Sequence, residues 1–298
     1  MSHIVNPAFN PAFEHYYQPE TVEEAVSLLA RCGKDARLLA GGTVLINQMR
    51  GRAVAPRHVI NISRVAGLDQ VTVAGDGTLS IGALATLAAV EKSASVREGW
   101  PLLRETILEI GLVQQRNMGT VVGNICRPVP SADSAVALLV LGASVVMSGT
   151  KGSRAIPIGE FIAGPRGTMM AESEMVTEIR VPTLPAAAGA AFLKLATPKV
   201  NAAVLMVIQK NSCGEARIAL GGVAPTPIRV PKAEAVLRGK SPSDALMDEA
   251  GATAADETSP GSDLRASSDY RRQMSRVLVR RALRVAWDRA QGNKEANK

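Results

Sequence analysis

Two glycine-containing segments carry residue types that can cradle an anion. In Ala40-Gly41-Gly42-Thr43-Val44-Leu45, a short apolar run ends in two glycines and a threonine leads into a helical pattern. Missing β-carbons let successive backbone N–H groups approach a ligand closely, and the Thr43 hydroxyl can donate to the same oxygens. The segment Thr120-Val121-Val122-Gly123-Asn124 is a second concavity built on the same logic. Taken alone, either segment is better read as an ordinary strand–helix corner. Two of them facing each other suit a pyrophosphate, and hence a dinucleotide.

Other chemistries lack their residues. The three histidines, His3, His15 and His58, form no HxxxH or HxxH pair, so no metal-ligand spacing is present. Cys32, Cys126 and Cys213 are scattered, without a CxxC, and cannot make a disulfide framework or a four-thiolate cluster. There is no G-x-S-x-G nucleophile elbow, and no G-x-G-x-x-G follows a strand. Gly149-Thr150-Lys151-Gly152-Ser153 has its lysine before the glycine, the wrong order for a phosphate loop, and reads as a hairpin turn. The chain therefore has a binding site to offer and no acid/base machinery.

Of the 298 residues, 46% are hydrophobic and only 3% aromatic, so the core must be built from aliphatic side chains. The scarcity of rings argues against a base-stacking single-strand binder. The formal charge of +7 lies almost wholly in residues 265–298, where eight Arg and two Lys face three acids. Arg272, Arg276, Arg280 and Arg284 recur along one face of a helix expected over 270–289. That face is either solvated or set against acidic surface on a partner subunit; a nucleic-acid partner has no other support. No signal peptide or apolar membrane-spanning run is visible, which points to a cytoplasmic protein.

The elements that must position the two segments follow from spacing. Thr21 to Glu24 has the form of a capping box opening a helix to Cys32. Strands at 37–40 and 58–62, with a helix at 44–50 between them, make a βαβ-like unit. A hairpin at 71–81 follows, then helices at 86–93, 101–110 and 134–141 and strands at 144–147 and 175–181. The Pro/Ala/Gly-rich run 182–189 divides the chain. Beyond it, strands at 191–196, 202–209 and 216–220 and helices at 232–237 and 270–289 form a second α+β unit. Residues 251–260 read as a polar loop and the last residues, 291–298, as a tail.

The spelling of the two segments is itself informative. Leu39-Ala40-Gly41-Gly42-Thr43-x-Leu45, with Met49-Arg50, resembles the first flavin loop of the medium subunits of molybdenum hydroxylases. Arg116-Asn117-x-Gly119-Thr120-Val121-Val122-Gly123-Asn124, followed by Pro128, Ser131 and Asp133, resembles their second loop. Asp263-Leu264-Arg265-Ala266-Ser267, with Tyr270, Arg271 and Met274, is similar to their last domain. These are the FAD subunits of carbon monoxide dehydrogenase and xanthine dehydrogenase.

The resemblance implies an α+β, vanillyl-alcohol-oxidase-like (PCMH-type) FAD fold. It would have a flavin domain over 1–184 in two subdomains (about 1–62 and 63–184) and a C-terminal domain over 190–290. It implies that Ala40, Gly41, Gly42, Thr43, Val44 and Leu45 hold the pyrophosphate and ribityl, and that Thr120, Val122, Gly123 and Asn124 close over them. Asp133 would bind a sugar hydroxyl, Val176 would pack on the flavin and Lys194 would approach its ring. It also implies partners: a large molybdopterin subunit and a small subunit with [2Fe–2S] clusters, as a dimer of heterotrimers. FAD would then pass electrons from the iron–sulfur subunit to an external acceptor. Val122 stands where the family has glycine, and Val44 where it often has a polar residue. A β-branched side chain excludes positive φ, so a structural subunit with weak or no FAD is the alternative.

Overall fold

The computed structural model of the chain describes residues 13–127, 129–164, 167–196 and 200–292. Pro128 and most of the expected tail lie outside the described residues.

The chain begins with β1 (His15–Tyr17), α1 (Val22–Cys32), β2 (Ala36–Leu39), α2 (Leu45–Arg50) and β3 (His58–Asn61). Thr21 caps α1 as its sequence predicts, its hydroxyl accepting from Glu24 N at 3.1 Å. Glu24 returns a bond to the N–H of Glu20, one residue earlier than a capping box requires. β3 lies between β1 and β2, parallel to both. The βαβ unit is therefore real, and β1 adds an edge that the short His15–Tyr17 run did not reveal.

The next part holds β4 (Val71–Val73), β5 (Leu79–Gly82), α3 (Leu87–Lys92), α4 (Ala94–Gly99), α5 (Pro101–Leu108), α6 (Val113–Met118), α7 (Val121–Ile125) and α8 (Asp133–Leu141). It continues through β6 (Ser144–Gly149), β7 (Gly152–Pro157), α9 (Ile158–Phe161), β8 (Ile162–Gly164), β9 (Gly167–Thr168) and β10 (Met175–Val181). Its antiparallel sheet runs β4-β5-β10-β6-β7, and residues 149–153 form the β6–β7 hairpin turn. All residues of α8 are buried. A helix apolar on every side belongs in the middle of a fold, and α8 contacts α5, α7 and α9 around it and three strands of the last part of the chain. Gly142, at φ 70°, ends it in the left-handed conformation.

The last part is β11 (Ala188–Leu195), β12 (Val200–Gln209), β13 (Ser212–Gly221), β14 (Ile228–Arg229), α10 (Pro231–Leu237), α11 (Asp244–Asp256) and α12 (Ser268–Ala290). Its strands pair in sequence order, antiparallel. α11 corrects the expected loop at 251–260. Leu246, Met247, Ala250 and Ala254 are buried at helical spacing, and Ser243 caps the helix at Leu246 N. Gly251, which suggested a turn, instead lets α12 approach: a β-carbon there would lie 2.8 Å from the Arg276 carbonyl oxygen. α11 also corrects the reading of the Arg stripe. Arg280 pairs with Asp248 at 3.0 Å and Arg284 with Asp244, so part of the basic face meets acids of its own chain.

Candidate functional site

The two glycine segments meet. α2 follows β2 after the bend at Gly41-Gly42, and α6 and α7 are joined through Gly119-Thr120. A β-carbon on Gly41 would lie 1.8 Å from the Met118 carbonyl oxygen and 2.7 Å from its carbonyl carbon. The first loop thus rests backbone against backbone on the second, a contact no other residue permits. Gly42 takes φ 68°, in the left-handed region that favours glycine. The glycines therefore serve the contact between the loops as well as the approach of a ligand.

A cleft of about 500 Å³ opens beside this contact. Ala40, Gly41, Met118 and Thr120 line it, opposite Ser63, Arg64, Val65, Ala66, Gly67 and Asp69, with Leu84 and Thr86 between. The 63–69 wall and the 84–86 segment were not singled out in the sequence. They are ordinary turn residues whose role comes from register. Leu84 N donates to Leu68 O at 2.7 Å, Leu87 N to Gly119 O at 2.8 Å and Val121 N to Ala85 O at 3.3 Å. One short segment thus ties the wall to the second loop.

The second segment is the start of α7, where a turn was expected. Thr120 is its N-cap, its buried hydroxyl accepting from Gly123 N at 2.9 Å. The Gly123 N–H is thereby committed to the chain. Val122 has helical backbone and a side chain packed into the core, 5% exposed. Positive φ is not required there, so its β-branch causes none of the strain that the family comparison suggested. Val44 does depart as expected: it is the N-cap of α2, offers no side-chain cap and is largely exposed. Leu45 begins α2, and the Thr43 carbonyl accepts from Asn47 Nδ2 at 2.8 Å. Thr120→Ala should cost ~1 kcal/mol of stability, read by urea unfolding, and Thr120→Ser should restore most of it.

Arg116 holds the approach to this segment. It pairs with Glu91 at 3.1 Å and donates to the Ile110 carbonyl at 3.3 Å. That fixes the turn before α6, and with it the placement of Met118 and Gly119.

Asp133 and Lys194 come together at 2.7 Å, the former at the first turn of α8 and the latter on β11. Lys194 Nζ also donates to the Glu109 carbonyl at 2.7 Å, and Asn201 Nδ2 donates to Asp133 Oδ1. Burial raises the Asp133 carboxyl above its ordinary range, outweighing the opposing pull of Lys194 and Asn201. In this arrangement Asp133 serves an interdomain ion pair, and each of its oxygens accepts one hydrogen bond. Val176 is buried in β10, paired with Met147, and belongs to the sheet core rather than to the cleft wall.

Among the described residues no three His, Cys, Asp or Glu side chains gather as for a metal ion. Cys126, at the end of α7, has its thiol pushed up to about 12 by burial. The Asn124 Oδ1 atom is buried with no partner among the described residues. An orphaned buried acceptor in the second segment, with the close backbone at Gly41, fits a hydrogen-bonding ligand such as a flavin dinucleotide.

Comparison with known proteins agrees. Residues 8–184 match the family described as FAD binding domain in molybdopterin dehydrogenase, and residues 192–286 match the CO dehydrogenase flavoprotein C-terminal domain. The carbon monoxide dehydrogenase medium chain of Hydrogenophaga pseudoflava is 36% identical over 94% of this chain and 98% of its own. A putative xanthine dehydrogenase FAD-binding subunit of Escherichia coli is 29% identical over 92% and 96%. The solved carbon monoxide dehydrogenase of H. pseudoflava superposes with a TM-score of 0.90 at 36% identity, covering 93% of this chain and 98% of that one. Quinoline 2-oxidoreductase from Pseudomonas putida does so with a TM-score of 0.87 at 27% identity, covering 95% and 98%. The fold is thus the PCMH-type FAD fold, the cofactor is FAD, and the chain belongs to the FAD-binding subunits of molybdopterin-dependent dehydrogenases.

Proposed function

We propose that this chain is the electron-transfer subunit of a heteromeric molybdenum hydroxylase, taking electrons from an iron–sulfur subunit and delivering them to an external acceptor. The reading rests chiefly on the closure of Gly41 onto Met118, which makes one cleft from two loops, with Arg64 and Asp69 as the charged side chains of its lining. Bound FAD supplies redox chemistry in one- or two-electron steps, so the chain need only bind, orient and tune.

In this reading the backbone from Ala40 to Leu45 holds the pyrophosphate and ribityl. Thr120, Val122, Gly123 and Asn124 cover them, with Asn124 Oδ1 free to accept from the cofactor. Asp133 and Lys194 lie where the domains meet; Lys194 faces the ring and Asp133 a sugar hydroxyl, through the ammonium hydrogen and carboxylate lone pairs that their mutual contact leaves over. Val176 would act through the sheet, packing behind the flavin. The partners are a large molybdopterin subunit and a small subunit with [2Fe–2S] clusters, arranged as a dimer of heterotrimers. Residues 1–184 form the flavin unit and 190–290 the C-terminal unit. The three free cysteines suit a reducing compartment, and we assign the complex to the cytoplasm.

The handoff is tested on the assembled complex by rapid mixing with a reductant that enters at the clusters. The flavin absorbance should bleach after the cluster signal and on the time scale of turnover. A flavin that stays oxidised while the clusters are reduced and turnover proceeds would contradict the proposal.

A further inference from the structure

Lys194, Asn201 and Gly221 form one rung across three strands. Lys194 pairs with Asn201 between β11 and β12, and Asn201 pairs with Gly221 between β12 and β13. Side chains opposite each other in an antiparallel pair share a face, and here both reach the same carboxylate. Asp133 receives Lys194 on Oδ2 and Asn201 on Oδ1. Asn201 is 1% exposed, so its amide has no competing water at the surface. Gly221 provides the space: a β-carbon there would lie 2.1 Å from Asn201 Oδ1. That oxygen has no partner among the described residues. The burial of a half-satisfied amide is costly unless its other half has a task.

We infer that Asn201 is a positioning residue for the flavin site: by fixing one oxygen of Asp133 it turns the other toward Lys194, and so sets where the lysine ammonium stands. An amide suits this position because it donates without adding charge. A carboxylate would repel Asp133, and an aliphatic residue would leave its oxygen bare. The inference rests on the proposed role of Lys194 beside the ring.

The test uses the full-length chain, purified with and without FAD, and reads Lys194 by pulsed acetic anhydride labelling and peptide mass. Lys92, Lys232 and Lys240, all exposed, serve as internal controls. In Asn201→Ala, Lys194 should label about tenfold faster than in the wild type, the value of one charge-assisted hydrogen bond, with the controls unchanged. In the FAD-loaded chain the flavin midpoint potential should shift as well. Asn201→Ser, which keeps a shorter donor, should fall between, and it carries the test if the alanine variant does not fold. Unchanged Lys194 labelling in a folded variant would overturn the inference, and so would altered labelling with an unchanged potential. The flavin-free labelling stands apart from the electron-transfer reading: if the wild-type chain holds no FAD, that reading fails while Asn201 is still tested.

Discussion

Gly41→Ala should weaken FAD binding about a hundredfold, ~2.7 kcal/mol, while leaving most of the fold in place. The added methyl group would lie 1.8 Å from the Met118 carbonyl oxygen, well inside any allowed contact. Both partners are backbone, so no rotamer change can relieve it, and one loop must move. Overpacking of this kind costs about 1–3 kcal/mol, and here the displacement falls on the two segments that enclose the cleft. Gly75→Ala is the control, since a β-carbon in that hairpin turn meets nothing within 4 Å. It should bind FAD like the wild type. Fluorescence titration of the flavin-free chain measures both. Equal affinity in Gly41→Ala and Gly75→Ala would mean that the loop contact does not shape the site.

The second large effect is at Asp133. Asp133→Ala leaves the Lys194 ammonium and the Asn201 amide without their acceptor, in a pocket where the Lys194 and Asp133 side chains are only 16% and 9% exposed. Breaking a buried pair from one side typically costs 3–5 kcal/mol. Lys194 keeps its bond to the Glu109 carbonyl, so the lower end, about 3 kcal/mol, is expected from urea unfolding. The double variant Asp133→Leu with Lys194→Met should be more stable than Asp133→Ala alone, because no uncompensated charge remains. If the double variant is as unstable as the sum of the single ones, Asp133 and Lys194 are not coupled across the domain seam.

How far these features can be read from the sequence differs from residue to residue. Thr21 acts locally, within a turn of its own position, and the capping pattern names it directly; Thr120 was read as part of an anion cradle, and its role as the cap of α7 shows only in the structure. Three of the four strands of the second α+β unit were visible because alternation and length are local as well, whereas the two-residue β14 is too short to show a pattern. α11 was missed because Gly251 is a helix breaker by propensity, and only the presence of α12 turns it into a contact point. The Arg stripe misled for the same reason: Asp244 and Asp248 lie far from Arg280 and Arg284 along the chain and meet them only when α11 packs on α12. In the site, the sequence pattern identified Gly41 and Thr120 but could not say that Gly41 makes room for Met118. The 63–69 wall carries no distinctive residue type, so only its hydrogen-bonded register brings it to the cleft. Val122 was read against a spelling rule, whereas helical backbone at that position removes the need for glycine.

The central claim is that the two loops close into a working FAD site despite Val44 and Val122. FAD content of the purified full-length chain tests it most directly, by visible absorbance and by the FAD released on denaturation. The account predicts a yellow protein with stoichiometric FAD. A colourless, folded chain that takes up no FAD when it is supplied would contradict it.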